Sequence, residues 1–116
     1  MNQETAKRLL DALLAGREIQ EYAASTTRAE FLESRSLQLI FERLFEIVGE
    51  AISQAEDEFP TLRQRVPDVG DIIGMRNRIA HGYDVIDNEL IWSTAVDQVP
   101  VLCANLERFL EDEPID

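Results

Sequence analysis

Apolar residues recur at spacings of three and four along almost all of this 116-residue chain, and the β-branched residues never alternate as strands require. That pattern confines the chain to an all-α fold. It is strongest in the middle. Leu37, Phe41, Leu44, Val48, Ala51 and Ala55 form one stripe on a helix from about Arg35 to Glu56. Leu39, Ile40, Phe45, Ile47 and Ile52 widen that stripe well beyond one face. A helix so apolar is covered on more than one side. The second cover is either another helix of the same chain or another subunit.

The remaining elements follow from periodicity and punctuation. A first helix is expected from about Gln3 to Ala24, with Leu9, Leu10, Leu13, Leu14 and Ile19 inward. Thr27 and Glu30 match a capping box and open a short helix carrying Phe31 and Leu32. Phe59-Pro60 ends the central helix, and Pro67 and Gly70 mark a second irregular stretch. A further helix runs from about Asp71 to His81 with Ile72, Met75 and Ile79 inward. Gly82 suits the positive-φ position just past its end. Asp87 caps the last helix, with Ile86 and Ile91 placed as a hydrophobic staple. Its stripe continues through Ala95, Val99, Leu102, Leu106 and Phe109, and Pro100 should kink or split it. The acidic tail from Glu111 is expected to fray. The expected architecture is an antiparallel helical bundle of four main helices plus a short helix, with the last helix kinked at proline.

Residues 1–116 read as one domain by length. A chain of this size buries about two-thirds of its unfolded surface. No apolar run is long enough to span a membrane, and Met1 to Lys7 lacks the apolar core of a signal peptide. Cys103 is the single cysteine, which suits a reducing compartment and a filler role in the last helix. The expected location is the cytoplasm. The formal net charge of -12 opposes non-specific binding to nucleic acid. Yet Arg63, Arg65, Arg76 and Arg78 lie within sixteen residues, opposed locally only by Asp68 and Asp71. A positive site on an acidic body is consistent with that clustering. Arginine also supplies the planar fork that recognises phosphate or carboxylate.

Chemistry concentrates in Arg76-Asn77-Arg78-Ile79-Ala80-His81-Gly82-Tyr83, which holds the single histidine. Histidine alone titrates near neutrality without perturbation. Arg76 and His81 are five residues apart, so an unbroken helix sets them about 140° apart. In the last turn of its helix, His81 meets a dipole that favours the imidazolium form. Metal-independent RNA cleavage needs a base for the 2′-hydroxyl, an acid for the leaving oxygen and a cation for the phosphorus centre. Arg76 and His81 supply the cation and one acid–base group. A symmetric dimer would supply the second histidine. By residue type alone the competing reading is structural. A histidine near a helix end is more often a cap than a catalyst, arginines pair with acids, and Tyr83 could be a core residue with its hydroxyl satisfied.

The segment from Ile72 to Tyr83 closely resembles the signature of the HepT-like proteins, a branch of the HEPN superfamily. Their pattern is arginine, four residues, histidine, any residue, tyrosine, met here by Arg76, His81 and Tyr83. Asn77 matches the polar residue common after the arginine. Ile47-Val48-Gly49-Glu50-Ala51 resembles the family's central-helix motif, Asp87 to Trp92 its last-helix start, and Pro100 falls where the family has a proline.

The resemblance implies a small all-helical homodimer, the toxin of a toxin–antitoxin pair. It implies metal-independent endoribonuclease activity in a cleft between protomers, with no cofactor. The implied partner is an MntA-like minimal nucleotidyltransferase antitoxin, which transfers AMP from ATP to the motif tyrosine. Carried over, Arg76 stabilises the scissile phosphate, His81 is the acid–base residue, Asn77 orients the site and Tyr83 accepts AMP. Glu50 either buttresses Arg76 or is a solvated residue beside Glu46 and Arg43. AMP on Tyr83 would put a bulky anion where RNA phosphate is meant to sit. The alternative is a non-catalytic HEPN module that complexes with such a nucleotidyltransferase.

Overall fold

The computed structural model describes residues 1–82 and 86–116, and among them there is no strand. The helices are α1 (Gln3–Ala24), α2 (Arg28–Glu33), α3 (Arg35–Glu58), α4 (Leu62–Arg65), α5 (Val69–His81), α6 (Asn88–Ser93) and α7 (Val99–Asp112). A π-helical turn, Thr94–Gln98, joins α6 to α7. The all-α bundle expected from periodicity is the observed fold. No helix among the described residues is long and apolar enough to cross a membrane.

Local signals set most boundaries. The Asn2 side chain caps α1 by accepting from the Thr5 amide at 2.7 Å. Thr27 and Glu30 form the reciprocal capping box that opens α2. Ser34 ends α2 and caps α3. The buried Gln38 amide donates to the carbonyls of Phe31 and Leu32 at 3.1 Å each, satisfying groups that the end of α2 leaves open. Asp87 accepts from the amides of Glu89 and Leu90 and starts α6.

The central helix α3 packs against both α1 and α5. Its Phe41, Phe45, Val48, Ile52 and Ala55 are essentially inaccessible to solvent. Helix α1 lies antiparallel to it: Thr5 donates to Glu58 at 2.5 Å, and Tyr22 meets Phe41 at the other end. The other long face of α1 packs on α7. The second cover of α3 is thus a helix of its own chain, although Leu39 remains half exposed.

Two details of α1 and one of the tail correct the expectation. Leu10 and Leu14 point outward, 46% and 50% exposed. The inner stripe is Leu9, Ala12, Leu13, Ala15, Gly16 and Ile19. Small residues take the inner side because α1 is pressed between two helices, and a Cβ on Gly16 would stand 2.7 Å from the Cys103 Sγ of α7. The acidic tail is pinned rather than frayed. The Met1 amine donates to the Pro114 carbonyl, and the Asp116 amide donates to the Met1 carbonyl, both at 2.9 Å. Arg65 holds Glu113 at 2.8 Å and lies 5.1 Å from the Phe109 ring centre. The one-turn helix α4, unexpected from the sequence, buries Leu62 and presents that arginine.

Pro100 does split the last helix. A proline ring clashes with the carbonyl four residues back. The turn before it widens, and the Val99 amide donates five residues back to Thr94. Helix α7 then restarts with Pro100 in its first turn, where a missing N–H is harmless.

Helices α3 and α5 cross at Gly49. A Cβ placed there would collide with the Arg76 Cβ and stand 2.6 Å from its Cγ. Glycine inside a helix costs about 1 kcal/mol against alanine, so an interior glycine needs a packing reason. Here the reason is passage of the Arg76 stem. On α5 itself, Gly74 faces open space, with no atom within 4 Å of where a Cβ would stand. Alanine should therefore act oppositely at the two sites. In denaturant titrations Gly49→Ala should lose about 1–3 kcal/mol by overpacking. Gly74→Ala should gain about 0.5–1 kcal/mol from helix propensity.

Burial pushes the Cys103 thiol up to about 11, the dominant influence on it. Its folded value exceeds the unfolded one, so its contribution to stability is complete below the unfolded pKa and is lost as pH rises toward 11. The native protein should resist thiol alkylation at about pH 8 and react fully once unfolded. Mass spectrometry before and after denaturant measures this.

Candidate functional site

Helix α5 ends where the chemistry gathers. Gly82 adopts φ 47° and ψ 37°, and its amide donates to the Arg78 carbonyl at 3.2 Å. This left-handed cap is the one expected from its position after His81. His81 is the last helical residue and is exposed. Asn77 and Arg78 are also exposed, while Arg76 is half-buried against α3.

The Arg76 side chain crosses Gly49 and reaches Glu50 on α3, donating to its carboxylate at 2.7 Å. It also donates to the Asn77 side-chain oxygen at 3.1 Å. Glu50 in turn accepts from the Gln54 amide at 2.9 Å, and Gln54 accepts from Arg8 of α1. A polar chain therefore links α1, α3 and α5 and ends on Arg76. Arg43 pairs separately with Glu46 at 3.5 Å. Of the two readings of Glu50, the structure brings it to Arg76. An arginine held by one carboxylate in a solvated setting keeps donors for a second anion.

Other arginines of the apparent cluster do not join this site. Arg63 makes a two-point contact with Glu56 at 2.8 and 2.9 Å, and Arg65 is held by Asp112 and Glu113. The Glu56 hydrogen bond also raises the Arg63 pKa. Among the described residues, Arg78 and Arg108 are the basic side chains without a carboxylate partner. Sequence proximity overstated the positive patch, because partners arrive from other elements.

Helical rotation separates the two sides of α5. Arg76 turns toward α3, whereas Asp71, Gly74, Arg78 and His81 follow spacings of three, four and three and share another face. Arg76 and His81 are therefore joined by the end of one helix but do not share a face. Tyr83 falls outside the described residues. Gly49, named only as part of the central-helix motif, is the residue to which the sequence assigned no role. It was visible as an interior helix glycine, but its contact with Arg76 was not.

The family described as Ribonuclease HepT-like matches residues 12–111. A protein of Caldanaerobacter subterraneus subsp. tengcongensis, named as a candidate RNase, is 31% identical over 84 residues, covering 72% of this chain and 74% of its own. A Methanocaldococcus jannaschii protein, also named as a candidate RNase, is 28% identical over 104 residues, covering 90% of this chain and 85% of its own. A Thermococcus cleftensis protein named as a probable ribonuclease HepT is 27% identical over 90 residues, covering 78% and 81%. No solved structure matches. With the family match spanning residues 12–111, nearly the whole chain, this chain belongs to the HepT-like ribonuclease family.

Proposed function

We propose that this protein is the endoribonuclease toxin of a toxin–antitoxin pair. Its site is completed in a homodimer and silenced by AMP transfer to Tyr83. The observation that carries the reading is the support of Arg76, held across Gly49 by Glu50 and Asn77 on the helix that ends in His81. An arginine with its stem packed and one edge occupied is already oriented. It loses little freedom when a phosphate takes its remaining donors.

The chemistry follows from one cation and one histidine per protomer. Neutral His81 accepts the proton of the ribose 2′-hydroxyl as that oxygen attacks phosphorus. The bond from phosphorus to the 5′-oxygen breaks, and a protonated His81 of a second copy gives its proton to the departing oxygen. The products are a 2′,3′-cyclic phosphate and a 5′-hydroxyl. Arg76 offsets the charge on the phosphorus centre throughout. No step calls on a metal. One histidine cannot be base and acid at once, which is the argument for two protomers.

An MntA-like nucleotidyltransferase is the antitoxin in this reading. It would move AMP from ATP to the Tyr83 hydroxyl, forming a phosphodiester and releasing pyrophosphate. The adduct would bring an anion close to His81 and Arg76 in sequence and compete with RNA for them.

A second reading is a non-catalytic partner of the nucleotidyltransferase. The net charge of -12 favours it, as does the engagement of most arginines by carboxylates.

RNA incubated with purified protein in EDTA decides between them. Cutting with cyclic phosphate ends is expected. His81→Ala should lose about 10²–10⁴-fold, and Arg76→Ala about 10²–10³-fold. Wild-type activity in both variants would reject the mechanism, and a tight complex without any cutting would support the binding module. Co-expression with the nucleotidyltransferase should add one AMP to the Tyr83 peptide. An unmodified peptide from inactivated protein would reject the tyrosine switch.

A further inference from the structure

A groove of about 260 Å³ runs between α5 and the π turn, lined among others by Asp71, Gly74, Met75, Arg78, Leu90 and Gln98. Drug-sized ligands occupy pockets of about 300–1,000 Å³, so this one suits a smaller group. Three observations distinguish it. Arg78 is exposed and, among the described residues, has no carboxylate partner in a chain where most basic side chains do. The Gln98 side-chain oxygen is buried with no hydrogen-bond partner, an uncommon condition, and the same residue borders the groove. Gly74 leaves the wall open, with nothing within 4 Å of where a Cβ would stand.

The groove also has a direction. Arg78 lies at i−3 from His81 on one face of α5, which sets their Cβ atoms about 5–6 Å apart. Asp71 lies two turns away, at the far end of the same stripe. The His81 end therefore accepts an anion, and the Asp71 end rejects one.

We propose that this groove is a nucleotide subsite next to the cleavage position, a reading that rests on the ribonuclease function above. Arg78 holds a phosphate neighbouring the one that is cut. The base lies against the apolar stems of Met75 and Leu90. The Gln98 amide pairs with the base edge and sets a base preference. An acidic chain that cannot hold RNA over a broad surface thus gains its grip at one narrow place.

The test uses the full chain and short homopolymeric RNAs of each base, 2′-O-methylated to block cutting. Binding is measured over a range of salt, beside EDTA cleavage of unmodified RNA. Arg78→Gln should weaken binding about tenfold, the loss of one charge-assisted contact. It should also flatten the salt dependence by about one phosphate. Gly74→Leu should fill the groove and weaken all four RNAs. Gln98→Leu should change the ratios among bases more than the mean affinity. Arg108→Gln, which removes the same charge on α7, should do neither.

Equal weakening by Arg78→Gln and Arg108→Gln would overturn the subsite in favour of general electrostatics. So would a folded Gly74→Leu that binds as wild type does. If Gly74→Leu loses its helical circular dichroism, the two arginine variants still decide. A wild type that cuts, with every groove variant unchanged, rejects the subsite and leaves the ribonuclease reading standing. A wild type that neither cuts nor binds RNA rejects both.

Discussion

The approach of α5 to α3 at Gly49 is the contact on which the site depends. A side chain at that position would collide with the first two carbons of Arg76, and the first of them, Cβ, cannot move without its backbone. Removing it lets the arginine lie across the central helix and reach Glu50. Helix α5 is also held by Ile72, Met75 and Ile79 in the core, so the position of Arg76 is tied to the packing of the whole bundle. The glycine lowers the intrinsic stability of α3, and the core contacts on either side of it offset that cost. Val48 and Ile52 are almost wholly buried one position before and three after.

Charge is organised by the same scaffold. The chain has 23 acidic and 11 basic residues, so a given arginine has many prospective partners. The ion pairs are mostly solvent-exposed, and pairs of that kind contribute little stability each. Their larger consequence is electrostatic. Arg63, Arg65 and Arg17 are taken up by carboxylates on other elements, which removes them from any anion site. Arg76 is a different case, since its carboxylate partner lies on α3 beside the glycine that admits it. Arg78 is left to a groove. Among the described residues, Arg78 on α5 and Arg108 on α7 are the arginines left without a carboxylate.

Most helices were legible because their signals are local. The capping box at Thr27 and Glu30, the Asp87 cap and the positive φ of Gly82 each need only a few neighbouring residues. Pro100 announced the break in the last helix by the same logic, although the π turn that absorbs it was not foreseeable. Leu10 and Leu14 misled because a helix with two packed neighbours can take small residues inward, and period alone does not say which side is pressed. The tail misled because its charges looked solvated, while Arg65 and the chain's own amino terminus were waiting for them.

The order of residues alone determined an all-helical chain, a histidine at a helix end, an arginine five residues before it and a resemblance to a family carried by the long match around them. Those properties depend on periodicity, capping and residue identity within one or two turns. Only the tertiary structure decided that Arg76 meets Glu50 rather than solvent, that Arg63 and Arg65 are engaged elsewhere, and that Arg78 and Gln98 border one groove. Each of those pairings joins residues on different helices. Rotation of either helix of a pair by a fraction of a turn would change that pairing without altering the local pattern, so the packing of the core had to choose.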